Sequence, residues 1–153
     1  MLKNRRRQSG FTLVELLIVV IILGILAAVV IPQFNTASSE AKESALVSNL
    51  ATVRQAIELY KVQHNDEFPN LATFIDEMTL STDEDGDTSG TKYGPYIRNS
   101  FPKNPINGES SVVALAATPA ADDDEGWQYD ENTGEFRSSA AGTGESGTAY
   151  IEL

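Results

Sequence analysis

Residues 16–31 run without a single charge, and reaching back to Phe11 makes an apolar stretch of 21 residues interrupted only by Thr12 and Glu15. At 1.5 Å per residue this is about 30 Å of helix, the thickness of a bilayer's hydrocarbon core. A buried core helix would need a domain to enclose it, and the remaining residues are too few and too acidic for that. Beyond this stretch the pattern changes. Leu46, Leu50, Val53, Ile57 and Tyr60 recur at steps of four and three, one apolar stripe on an otherwise polar helix over 33–63. Phe34, Ala37, Ala41 and Ala45 form a second stripe of smaller residues, and Arg54 and Glu58 stand at the i,i+4 spacing that favours an ion pair. The stripe of large residues predicts that the second half of the helix packs against a small head.

His64-Asn65-Asp66 ends that helix, and Phe68-Pro69-Asn70 restarts the chain. Asn70 reads as the N-cap of a short helix that carries Leu71, Phe74, Ile75 and Met78 on one face. Residues 81–91 form an acidic, glycine-containing loop, and Pro95, Pro102 and Pro105 predict an irregular, surface-running path over 93–105. A strand is predicted over 111–117, followed by a hairpin from 127–130 to 135–137 around Glu131-Asn132-Thr133-Gly134. Small residues dominate 138–148, which reads as a flexible tail. The fold class is α+β: a long N-terminal α-helix, membrane-spanning in its first half and amphipathic in its second, packed on a small antiparallel β-sheet head.

Charge narrows the functions open to such a chain. Eleven basic residues stand against 22 acidic ones, a net charge of −11, so phosphate backbones repel it and no nucleic-acid partner is expected. The absence of cysteine excludes a disulfide framework, a thiolate zinc site and a cysteine nucleophile. His64, the one histidine, stands near Asp66 at a helix end, an ordinary structural arrangement, and no enzymatic activity is expected. Asp83-Glu84-Asp85-Gly86-Asp87 would suit a hard cation such as Ca²⁺, but as an EF-hand loop it fails, with Thr88 in the glycine position and Gly94 in that of the bidentate glutamate. Residues 122–125 are a second acidic run of the same kind. Solvated loops explain both, so no metal ligand is assigned and no cofactor is expected beyond this weak Ca²⁺ candidacy.

Lys3, Arg5, Arg6 and Arg7 precede the apolar run, whereas Glu40, Lys42 and Glu43 follow it. The positive-inside rule then keeps the N-terminus cytoplasmic and sends the head across the membrane. A cleaved secretory signal has a shorter apolar part with small residues after it; here Pro32-Gln33-Phe34 follows, and Thr36-Ala37-Ser38 is a poor cleavage site. The run Arg5-Arg6-Arg7 hints at a twin-arginine signal, for which the apolar segment is too long. Glu15 is the residue that a plain anchor has no need of, because an acid inside the bilayer is costly and marks function unless it snorkels to the nearby surface.

The junction Gly10-Phe11-Thr12-Leu13-Val14-Glu15-Leu16-Leu17, after its short basic leader, resembles the processing site of the type IV pilin and pseudopilin superfamily. That resemblance implies a leader over 1–10 that a prepilin peptidase removes by cutting after Gly10, N-methylation of the new first residue Phe11, and a role in filament assembly for Glu15 at mature position five. Pro32 matches the family's helix proline. The resemblance further implies that the segment from Gly24 to Pro32 unwinds in the filament; by itself, Pro32 is expected to kink or locally melt the helix. The domain layout is then a leader at 1–10, an assembly and membrane helix at 11–32, an amphipathic half at 33–64, and a periplasmic head with a flexible tail at 65–153.

In the head, Phe68-Pro69, Gly94-Pro95-Tyr96-Ile97, Phe101-Pro102-Lys103-Asn104-Pro105 and Gly126-Trp127-Gln128-Tyr129 look like segments of the major pseudopilin of type II secretion systems. Two departures stand out: the acidic linker at 122–125 is unusual, and the family's late aspartate-bearing calcium loop has no clear counterpart after Arg137. The implied function is that of a structural subunit of a pseudopilus that helps export folded proteins. Its implied partners are further copies of itself, minor pseudopilins, the prepilin peptidase, an inner-membrane assembly platform with its ATPase, and membrane lipid. A type IV pilin of a surface fibre, and a membrane-anchored periplasmic binding module, are the alternatives. The small cysteine-free head favours the pseudopilin over the first, and Glu15 with the cut site weighs against the second.

Overall fold

The computed structural model describes residues 10–118, 120–144 and 147–153, without the side chains of 31–36. The basic leader residues Lys3, Arg5, Arg6 and Arg7 lie outside the described residues, as does the Phe34 side chain of the small-residue stripe. Two units divide the chain, Met1–Ser38 and Ser39–Leu153. One helix, α1 (Leu13–Gln63), contributes to both.

In the first unit α1 is apolar on every face. The window Leu13–Val30 has a mean hydropathy of 3.2, and none of it is buried within the chain. Such a helix has nothing of its own to pack against, so lipid or other protein must cover it. The helix runs unbroken through Pro32, which differs from the local melting expected there. A proline removes one hydrogen bond from the ladder, and the helix continues on both sides of the gap.

The second unit starts from the expected stripe. Leu46, Leu50, Val53, Ile57 and Tyr60 are all buried, and they form a core with Phe74, Met78, Trp127, Tyr129 and Phe136. Burying each such side chain stabilises the fold by about 1.5–3 kcal/mol. After α1, Asn65 and Asp66 take left-handed backbone angles, φ 55° and 66°, which stop the helix. A 3₁₀ turn (Leu71–Thr73) leads into α2 (Phe74–Thr79). Asn70 caps the turn, its side chain accepting the Ala72 N–H at 2.9 Å. Phe74 and Met78 face the core as the spacing predicts, while Leu71 is half-buried and Ile75 lies at the surface.

Three short strands complete the head: β1 (Val112–Ala114), β2 (Trp127–Tyr129) and β3 (Phe136–Ser138), in the order β1-β2-β3. The hairpin of β2 and β3 is antiparallel, with Trp127 opposite Ser138 and Tyr129 opposite Phe136. β1, however, runs parallel to β2, so the sheet is mixed rather than antiparallel. The physical reason is the connection. Only residues 130–135 join the antiparallel β2 and β3, whereas residues 115–126, about a dozen, lie between β1 and β2, enough to carry the chain back to the same end.

The hairpin turn rests on Asp130, whose Oδ1 accepts the Asn132 N–H at 2.9 Å and whose Oδ2 accepts the Thr133 hydroxyl at 2.8 Å. Gly134 closes it at φ 75°, and any side chain there would strike the Phe68 ring. From the last residue of β3 onward, in the described part of the expected tail, Ser138, Ser139 and Ala140 are buried, Gly144 N–H donates to Thr148 O, and Tyr150 N–H donates to Gly142 O. A final 3₁₀ turn (Tyr150–Glu152) follows. The Arg54 guanidinium reaches from α1 to this end of the chain, donating to the main-chain oxygens of Phe136 and Leu153 instead of forming the expected helix pair with Glu58.

Candidate functional site

Thr12 begins α1, and its geometry shows why. The Glu15 carboxylate oxygen Oε2 accepts both the Thr12 N–H and the Thr12 hydroxyl at 2.8 Å, while the Glu15 N–H donates to the same hydroxyl oxygen at 3.2 Å. The Leu16 N–H closes the first turn onto Thr12 O. This is a capping box, in which a threonine and the glutamate three residues on satisfy each other's unpaired N–H groups. The signal for it in the sequence is Thr-x-x-Glu, a pattern separate from the cost of an acid in lipid by which Glu15 stands out. Oε1 of Glu15 takes no further hydrogen bond among the described residues.

Gly10 and Phe11 lie just before this cap in exposed chain outside any helix or strand, Phe11 at 78% exposure. A side chain at Gly10 would meet nothing within 4 Å. The cap bonds join only Thr12 and Glu15 and use neither Gly10 nor Phe11. A side chain at Gly24 would likewise meet nothing within 4 Å, and Gly24 lies about two and a half turns beyond Glu15 on the same helix. Pro32 sits in the continuous part of α1, its side chain outside the described residues. Gly10, Phe11 and Glu15 are thus brought together at one helix start, and Gly24 and Pro32 are not part of that cluster.

His64 is buried with both ring nitrogens engaged, Nδ1 with Tyr60 O at 2.8 Å and Nε2 with the Thr82 hydroxyl at 3.0 Å. It stacks on Tyr60 with ring centroids 3.7 Å apart. It is a core residue that ties the end of α1 to the loop at 81–93. The Tyr60 hydroxyl is pushed well above its ordinary pKa by burial and by the neighbouring Glu77 carboxylate.

The two acidic loops mostly bond to their own backbone. Asp83 Oδ1 accepts the N–H groups of Asp85 and Asp87, and Asp87 accepts that of Ser89, which holds the Asp87 carboxyl below its ordinary range. Lys92 pairs with Glu84 at 2.6 Å and lowers its carboxyl likewise. In the linker, Asp122 N–H donates to Ser139 O, and Asp123 accepts the Ala141 N–H. Among the described residues no three acidic or histidine side chains are grouped to hold a metal ion.

Residues 5–31 match the family described as the prokaryotic N-terminal methylation motif, a stretch that takes in residues 5–10, the cap and the apolar run. The similarity to known proteins extends into the head. Type II secretion system core protein G of Aeromonas hydrophila is 32% identical over 102 residues, 67% of this chain and 70% of that one. The protein of the same name from Klebsiella pneumoniae is 30% identical over 109 residues, 71% of this chain and 76% of its own. That of Pseudomonas aeruginosa reaches 43% over a shorter 61 residues, 40% of this chain and 43% of its own. No solved structure matches the chain.

Proposed function

Because the chain belongs to the core protein G family of type II secretion, and is therefore a pseudopilin subunit, we propose the following course for it from membrane to filament. It enters the inner membrane through Leu13–Val30 with its leader in the cytoplasm and its head in the periplasm. The flanking charges support that orientation. Prepilin peptidase cuts after Gly10, and the new amine of Phe11 is methylated. Loss of the leader removes four cations that bind the anionic leaflet and leaves seven basic residues against 22 acidic, a net of −15.

Assembly then uses the freed amine. N-methylation leaves it basic, and the capping box keeps Glu15 ordered with Oε1 open. The Phe11 ammonium of a neighbouring copy meets that oxygen in an apolar surround, where screening is weak and the attraction strong. An ATP-driven platform adds subunits, minor pseudopilins join them, and the filament helps move folded proteins outward. The segment between Gly24 and Pro32 is where the helix gives way as the filament packs. No cofactor takes part and the subunit performs no catalysis of its own.

The observation that carries this reading is the joining of a capped, exposed helix start to an apolar helix with no cover of its own. Intact-mass and N-terminal fragment spectra of the processed protein test it. The expected first residue is N-methylated Phe11, produced only when the peptidase is present. A chain that keeps Met1, or one cut near Ala37, would overturn the course proposed.

A further inference from the structure

We draw no further inference here: the strongest candidate, the open cavity of about 530 Å³ between the end of α1, the 66–70 segment and the turn at 131–132, is a cluster of carboxylates whose buried member, Glu77, is already bonded to Asn70 and Thr73, and nothing in the structure points to what fills it.

Discussion

At the start of α1, Glu15 accepts two hydrogen bonds from Thr12 and also carries the charge proposed to meet a neighbour's amine. Two substitutions separate these roles. Thr12→Ala removes the cap and should cost about 1 kcal/mol of local helix stability, read as faster amide exchange over the first turn of the processed chain in detergent. Glu15→Gln keeps a side chain that serves in a capping box but loses the charge. Membrane insertion should persist while incorporation into filaments falls about tenfold or more; normal incorporation would reduce Glu15 to a cap. In the head, Asp130 holds the hairpin turn through the Asn132 N–H and the Thr133 hydroxyl, which put its carboxyl below the ordinary value of 3.8. A carboxyl lowered on folding adds stability above its unfolded pKa and loses it as pH falls through the folded one. Asp130→Asn should therefore flatten the fall in melting temperature below about pH 4, and an unchanged acid profile would mean that the Asp130 charge does not stabilise the turn.

For elements, the two faces of the second half of α1 give opposite expectations. Leu50 is 1% exposed against the sheet and Leu59 is 49% exposed. Leu50→Ala should destabilise the head by about 2–5 kcal/mol, whereas Leu59→Ala should stay within about 0.5 kcal/mol, both read by chemical unfolding of the processed chain in detergent. Equal losses would mean that the stripe does not define the core. The same contrast explains what the sequence made legible. The stripe from Leu46 to Tyr60 and the Asn70 cap follow from local spacing, and the hairpin follows from turn residues with Gly134 among them. The parallel pairing of β1 with β2 is non-local, and no local pattern encodes it. Arg54 shows the same limit: its neighbour by spacing was Glu58, but the partners that won, Phe136 O and Leu153 O, lie more than 80 residues away along the chain. At the helix start the charge of Glu15 is legible from its place in the apolar run, and the cap from the local pattern Thr-x-x-Glu.

The whole molecule combines a helix that demands cover with a head that repels its copies. The proposed processing would take the net charge from −11 to −15 per subunit, seven basic residues against 22 acidic, and the proposed stacking of subunits would bring these heads together. Exposed charges are screened over about 10 Å at 0.1 M salt and over about 30 Å at 0.01 M. Filament yield from the processed protein should therefore rise between about 0.01 and 0.1 M monovalent salt; a yield that falls would point to attraction between heads instead. The most direct measurement is to shear filaments from cells that produce this chain with its secretion machinery, then weigh the subunits they contain. Filaments built of chains that begin at methylated Phe11 are the predicted result. Processed chains found solely as monomers in the membrane fraction, with the machinery active, would contradict it.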